Sequence, residues 1–437
     1  MRRRRLHGDG RLTDPTGEEA AKPLPPLRRD IEIVPVRQDG QNLFLLHDDE
    51  GLGADGVAVP ESALLILSCL DGRRGAAEVR SEVLKRTGAA LGEGEIAAFA
   101  TELAAAGLLE TEELRERRLE LWREFAKNPV RKARYAGKIY PSDRLELAKF
   151  LGAYLHDGAK GPGKPLAESP SATSPVGLVA PHIDYSRGGP AYAWAYQALS
   201  ESQPPDLVVA LGVAHSSPDS PWTAARKAYD TPYGPIAPSD DLYEALASSL
   251  WYDPQDDVWA HRQEHSLELA AVWLKFLWRE KTPPWLPILC SSFARFAPDR
   301  PPSGIDTIEK ALQDTGRAFA KIAARKRVLI LASVDLAHVG PRFGDDMPLG
   351  AETEKKIEDA DHSSLEHALR LDADAFYLSV VADGHWRKVC GLSALYSGLR
   401  WMKILGAKET GNRLLSYGQA PDPMGGIVSF ASAIFPS

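Results

Sequence analysis

The stretch VGLVAPHIDY, residues Val176–Tyr185, decides the fold of this chain. Five apolar or small residues run without a polar break into Ala180-Pro181, and His182 follows at once. Such a run, closed by proline, fits a strand buried on both faces of a parallel sheet. The pattern recurs twice: LVVALGVA (Leu207–Ala214) runs into His215, within GVAHSS at Gly212–Ser217, and VLILASV (Val328–Val334) runs into Asp335. His338 stands three residues further on, at a spacing that on a helical turn places it on one face with Asp335. A buried strand that ends in a polar side chain delivers it to the carboxyl edge of the sheet, where open α/β sheets bind their ligands. His182, His215, Asp335 and His338 are therefore expected at one rim.

Outward from these strands the alternation continues. Apolar runs at 176–180, 206–214, 286–290, 328–334 and 427–434 are separated by helical patterns near 189–200, 240–250, 262–279, 307–325 and 352–369. Alternation of this kind predicts an α/β fold with a mainly parallel sheet core flanked by helices. The tail MGGIVSFASAIF reads as a closing strand. On the N-terminal side, residues 1–30 are rich in Arg, Gly and Pro and read as a disordered tail. Residues 31–112 open with two apolar runs around Asp39-Gly40, a hairpin signal, and continue with three short helical patterns stopped at Asp71-Gly72 and Gly88. That order predicts a small winged-helix domain. A charged amphipathic helix over 111–128, with Leu114, Leu121 and Phe125 on one face, supplies a link at 113–130, and residues 131–437 form the main domain.

Composition narrows the function. The chain has 437 residues, 44% hydrophobic and 26% charged, with a net charge of −8, which excludes the basic face of a general nucleic-acid binder. No apolar run approaches the length of a membrane span, and the basic tip Arg2–Arg5 is not followed by a signal-peptide core. Cys69, Cys290 and Cys390 are few, odd in number and far apart, which predicts reduced thiols and a cytoplasmic location.

A lone histidine at a strand end is usually a satisfied core or surface group. Two at equivalent strand ends, beside an Asp and a third His, are the donor set of a non-haem iron, zinc or copper site. Asp335 also suits the role of orienting His338 through its other ring N–H. Cys390, in VCG (Val389–Gly391), precedes a helical pattern, where a thiol pKa is lowered. Glu264, His265 and Glu268, in EHSLEL, open another helix and fit either a solvated helix start or a pocket wall. His261 and His265 are four apart, but Arg262 stands where a metalloprotease needs glutamate.

With those residues in place, the chain from about Arg131 to Ser437 resembles the MEMO family, including AmmeMemoRadiSam system protein B. YAGKIYPSD (135–143) resembles the family's opening AG-x-[FW]-Y-P, APHIDYSRGG its APHAGY stretch, and ALGVAHSS its LGPSHH. EHSLEL resembles EHSIE, LASVDLAHVGPRFGD the S-D-x-x-H-x-G-x-R-F stretch, and VCG the family's CG. The resemblance implies a class III extradiol dioxygenase-like fold and a metal held by His182, His215 and Cys390. It places His338 and Asp335 in the same pocket as catalytic residues, His338 as acid/base. Asp184, Tyr185, Glu264 and His265 are expected to line the substrate pocket. A thiolate among the ligands favours Fe(II), with Cu second, and argues against ring cleavage. The chain departs from the family where Ile183-Asp184 replaces AG and where Ala214-His215-Ser216 leaves one histidine of a pair.

Residues 31–112 resemble PqqD-like domains in ILSCLDGRRGAAEV and the later AAAGLLE. That likeness implies capture of a peptide by strand addition, a packing or dimerisation role fits the same pattern, and the MEMO-family resemblance separately implies a radical-SAM partner. Two functions follow: a non-haem iron oxidoreductase of the dioxygenase type in a peptide- or small-molecule-modification system, or a non-catalytic module that binds a peptide or phosphorylated ligand and a redox metal.

Overall fold

The computed structural model describes residues 22–437 except 39, 49, 55, 169–172, 217, 383 and 423–424. The expected tail up to 21, Asp39 of the hairpin turn and Ser217 lie outside the described residues. The chain divides into two compact units, Met1–Arg123 and Glu124–Ser437.

The first unit carries an antiparallel sheet of β1 (Ile31–Gln38), β2 (Gln41–Asp48) and β3 (Val57–Pro60). Helices α1 (Ala63–Cys69), α2 (Ala76–Thr87) and α3 (Glu93–Ala105) follow, and α4 (Glu112–Lys127) runs across the division between units. The predicted hairpin and three helices are present, with a third strand the sequence did not announce. Gly88 closes α2 in the left-handed region at φ 71°, as its position predicted. Residues 24–30, assigned by composition to a disordered tail, are folded. The Leu24, Leu27 and Arg28 amides donate to the Arg74, Leu70 and Leu108 carbonyls. The Arg28 guanidinium is buried against Asp48 at 2.7 Å. Composition hid this because two leucines and one buried ion pair suffice to anchor a segment otherwise rich in Pro and Arg.

The second unit contains β4 (Val130–Arg131), α5 (Arg144–His156), β5 (Pro175–Ala180), α6 (Tyr185–Ser200), β6 (Leu207–Val213), β7 (Trp222–Ala224) and β8 (Ala228–Tyr229). After them come α7 (Asp240–Ala247), α8 (Ser266–Trp278), β9 (Trp285–Cys290), α9 (Asp306–Ala323), β10 (Val328–Ser333) and β11 (Asp335–Val339). Helices α10 (Ala351–Leu369), α11 (Ala373–Val381) and α12 (Leu392–Ile404) and strands β12 (Arg413–Asp422) and β13 (Gly426–Pro436) complete it. One sheet runs β11-β13-β5-β10-β6-β9-β7, with β12 paired to β13. Its centre, β5-β10-β6-β9, is parallel as expected, and every residue of those four strands is buried. The flanks are antiparallel, so the sheet is mixed. The closing strand β13 sits inside the order, with β12 along one edge and β11 and β5 sharing the other. Among the described residues, no helix is long and apolar enough to cross a membrane.

The two faces of the sheet carry separate cores, one with Phe319, Tyr377, Leu399 and Trp401, the other with Tyr185, Tyr192, Tyr196 and Trp273. Gly212 shows how tightly the layers meet at the carboxyl edge: a Cβ there would stand 2.5 Å from the Ser266 Oγ and 2.8 Å from Leu267 Cγ. The missing Cβ at that point makes room for the Ser266 and Leu267 side chains, so α8 begins directly beside the end of β6.

Candidate metal centre

Strand β5 ends at Ala180 and the chain turns at Pro181, so His182 arrives at the rim 2% exposed. Its Nδ1–H donates to the Ser333 carbonyl at 3.0 Å, which leaves Nε2 aimed into the rim. His215, beyond the end of β6, turns Nδ1 onto the Glu264 carboxylate, 3.0 Å from both oxygens, while its side chain stays 41% exposed on the outer face. His265 caps the start of α8, and its Nδ1 lies 3.3 Å from the same carboxylate. One buried Glu264 therefore fixes two imidazoles, stacked with centroids 4.9 Å apart, and presents their other nitrogens to the pocket. Donor atoms of His182, His215 and His265 lie within 4.8 Å of one another, and Cys390 Sγ lies 3.4 Å from His182 Nε2.

A carboxylate or carbonyl on the far nitrogen is what metal-ligating histidines characteristically have, because it fixes the tautomer and raises basicity. The donor set thus fits a first-row transition metal: three imidazoles to take an ion of borderline softness and a thiolate to favour a redox-active one.

Electrostatics agree with that geometry. Burial alone would push the Cys390 thiol up, but His182 and His338 nearby, with hydrogen bonds from His182 and His215, bring it down to about 5. Burial opposes charge on His182, yet Asp335 and Cys390 raise it to about 9. Burial likewise disfavours the Glu264 carboxylate, which His215 and His265 nevertheless hold well below the usual range. Without metal, these shifts favour a thiolate on Cys390 beside a charged His182. Alkylation by iodoacetamide should therefore pick out Cys390 and be nearly flat in rate from about pH 6 upward, since the thiol is ionised above about 5. Cys69 and Cys290 are each 2% exposed, and burial pushes Cys290 up. A rate that instead climbs toward pH 9 would contradict the thiolate.

Asp335 departs from its expected role. It lies on a strand rather than a helical turn, with a register shift in the pairing between Asp335 and His338. Its Oδ1 accepts the His182 amide at 2.9 Å and its Oδ2 lies 3.5 Å from His182 Nε2, so it serves His182 and not His338. His338 Nδ1–H donates instead to the Leu336 carbonyl at 3.1 Å, and the ring meets Phe343 edge-on. Two pocket assignments also change. Tyr185 is fully buried in the aromatic core and donates to the Leu269 carbonyl at 2.7 Å. Asp184 caps α6 and pairs with Arg187. They sit two and three residues beyond His182, where the chain turns into helix. Glu264 and His265, left open between solvent and pocket, belong to the pocket. His261 does not: buried with Tyr229 donating to Nδ1 and Nε2–H donating to Thr223, it is held neutral, burial bringing it down to about 3.

Gly391 is required by contact rather than by its φ of −72°. A Cβ there would stand 2.5 Å from the Asp335 carbonyl oxygen and 2.5 Å from Val334 Cβ. Gly391→Ala should therefore cost about 1–3 kcal/mol by overpacking and move Cys390 off His182. Urea midpoints and Cys390 alkylation rates check both halves.

The fold and the site together define an α/β protein with a metal-competent histidine–cysteine pocket at the carboxyl edge of its sheet. A family model described as "Memo-like protein" matches residues 131–434, and the chain belongs to that family. It is 28% identical to a MEMO1 family protein of Aquifex aeolicus over 394 residues, 90% of this chain and 96% of the relative. It is 35% identical to one of Thermus thermophilus over 268 residues, 61% of this chain and 72% of the relative. The Aquifex match extends beyond the family domain into the first unit.

Proposed function

We propose that this chain is a cytoplasmic non-haem metal protein of the oxidoreductase type, with Fe(II) the preferred ion and Cu the second. The meeting of donor atoms of His182, His215 and His265 within 4.8 Å, with Cys390 Sγ 3.4 Å from His182 Nε2, carries this reading. His182, His215 and Cys390 hold the ion in this proposal, with His265 a fourth donor. Bound there, the metal supplies activation of O₂ or one-electron redox chemistry. His338, on the Cys390 side of the pocket, holds or moves a proton through the nitrogen not engaged with Leu336. The dioxygenase-type assignment is supported by the fold class and donor set alone.

The first unit supports a further part of the proposal. Strand β1 lies at an edge of its three-stranded sheet, the geometry a peptide needs to add as a strand. A peptide delivered there, and a radical-SAM partner that modifies it, would give the metal domain its setting. Anaerobic purification followed by iron and copper analysis tests the centre; oxygen uptake with catechols and candidate peptides then tests catalysis. One equivalent of metal with turnover supports the enzyme, and metal without turnover of any donor turns the assignment to a binding module.

A further inference from the structure

Cys390 is placed by a loop with two strained residues. His385 and Lys388 adopt φ of 57° and 47°, conformations costly for residues with a Cβ. Such backbone persists only where its surroundings over-determine it. Between the two strained positions sits Arg387, 1% exposed. Its guanidinium donates to Asp361 Oδ1 at 2.6 Å, to the Ser364 hydroxyl at 2.9 Å and to the Ser379 carbonyl at 3.0 Å. These partners lie on α10 and α11, so one side chain pins the loop to two helices.

The same residue also bonds to the neighbouring strand that carries His338. The Arg387 carbonyl accepts the His338 amide at 2.6 Å. Asp361 Oδ2 accepts the hydroxyls of Ser429 at 2.5 Å and Tyr417 at 3.1 Å. The Ser429 oxygen in turn accepts the Ala337 amide at 2.8 Å, inside the register shift of β11 that separates Asp335 from His338. Asp361 and Ser429 are fully buried. Burial pushes the Asp361 carboxyl up, and the Ser429 hydroxyl and Arg387 charge work to keep it ionised.

We propose that Asp361 and Arg387 form a positioning clamp that sets Cys390 against His182 and fixes the adjoining Asp335–His338 strand. Neither residue touches the ion; they determine whether the sulfur reaches it. The clamp rests on the metal-centre reading for its purpose, not for its geometry. Replacing both partners of a buried pair by apolar residues is often neutral for stability, so the double replacement separates the position of the sulfur from the stability of the fold.

The test uses the full chain with Asp361 and Arg387 replaced together, Asp361→Leu with Arg387→Met. Cooperative unfolding and circular dichroism establish that the variant folds. Co(II) is the probe, because imidazole ligation shows in its visible bands and thiolate ligation in a separate charge-transfer band. The variant is expected to keep the visible bands, lose the thiolate band and bind Co(II) roughly 10–100-fold more weakly, as when outer partners of a metal site are removed. In the metal-free protein, the alkylation profile of Cys390 should move up toward that of an unpaired thiol. A merely structural pair would leave both readouts at wild-type values once the fold is intact, and that result overturns the clamp. Absence of Co(II) binding by the wild-type chain would sink the metal-centre reading instead, and the alkylation profile would still decide the clamp. Should the double variant not fold, Ser429→Ala removes only the bridge to β11 and is expected to shift both readouts in the same direction by less.

Discussion

Glu264→Ala is expected to lower first-row metal affinity by well over the roughly 10–100-fold typical of losing one outer partner, because this carboxylate serves two imidazoles at once. His215 Nδ1 lies 3.0 Å and His265 Nδ1 3.3 Å from it, and its Oε2 also accepts the His215 amide at 3.1 Å. Its Oε1 accepts the Ser266 amide at 2.9 Å, so the group further joins the end of β6 to the start of α8. Without it both rings lose their tautomeric preference, and the Ser266 amide is left buried without its acceptor. Calorimetric titration with Fe(II) under anaerobic conditions and with Co(II) measures the loss. Affinity within threefold of the wild type would show that the rings are held by packing instead.

The same residue has a pH signature. His215 and His265 hold its carboxyl well below the ordinary value of about 4.5, so the stability it contributes is fully present above about 4.5 and lost as pH falls through the folded value. Glu264→Ala should therefore flatten the acid limb of the stability profile, read from urea midpoints between about pH 3 and 7.

Glu268→Ala is expected to cost about 3–5 kcal/mol, the usual effect of leaving one buried charge uncompensated. Glu268 and Arg131 are both fully buried and in direct ion-pair contact. Glu268 also accepts the amides of Arg134 and Tyr135, at 2.9 and 2.8 Å, and the Tyr140 hydroxyl. Arg131 donates to the Glu264 carbonyl at 2.7 Å and to the His261 carbonyl at 3.0 Å. The pair therefore lies beneath the loop that carries Glu264 and His265. Arg131→Met together with Glu268→Leu should recover much of the stability, as replacing a whole buried pair by apolar residues commonly does. A cost below about 1 kcal/mol for the single change would show that water reaches the pair and screens it.

This network explains why YAGKIYPSD could be recognised without its purpose being legible. Tyr135 and Tyr140 look like ordinary aromatics in sequence, and Glu268 like a helix-start acid favoured by the dipole. Only the approach of residues 131–140 to α8 makes them ligands of one carboxylate. His265 was expected in the pocket wall, but its place among the metal donors was hidden for a related reason. It follows no strand, so the strand-end pattern that singled out His182 and His215 has no signal for it. Its partner Glu264, one residue before it, is the available clue.

Sequence by itself determined the four buried parallel strands, because a continuous apolar run closed by a polar residue has few other uses. It also determined that His182, His215 and Asp335 meet at one rim, since parallel strands share a carboxyl edge. Cys390 was joined to them through the family's CG motif. Tertiary structure alone decided the pairing of Asp335 with His182, the entry of His265, the demotion of Tyr185 to core and the clamp behind Cys390. Each depends on contacts between residues well separated in sequence, 26 positions for Arg387 and Asp361, 84 for Tyr185 and Leu269 and 153 for Asp335 and His182, or on a local departure from regular geometry, the β11 irregularity among them. Periodicity reports which face of an element is buried; it carries no information about which distant side chain arrives there.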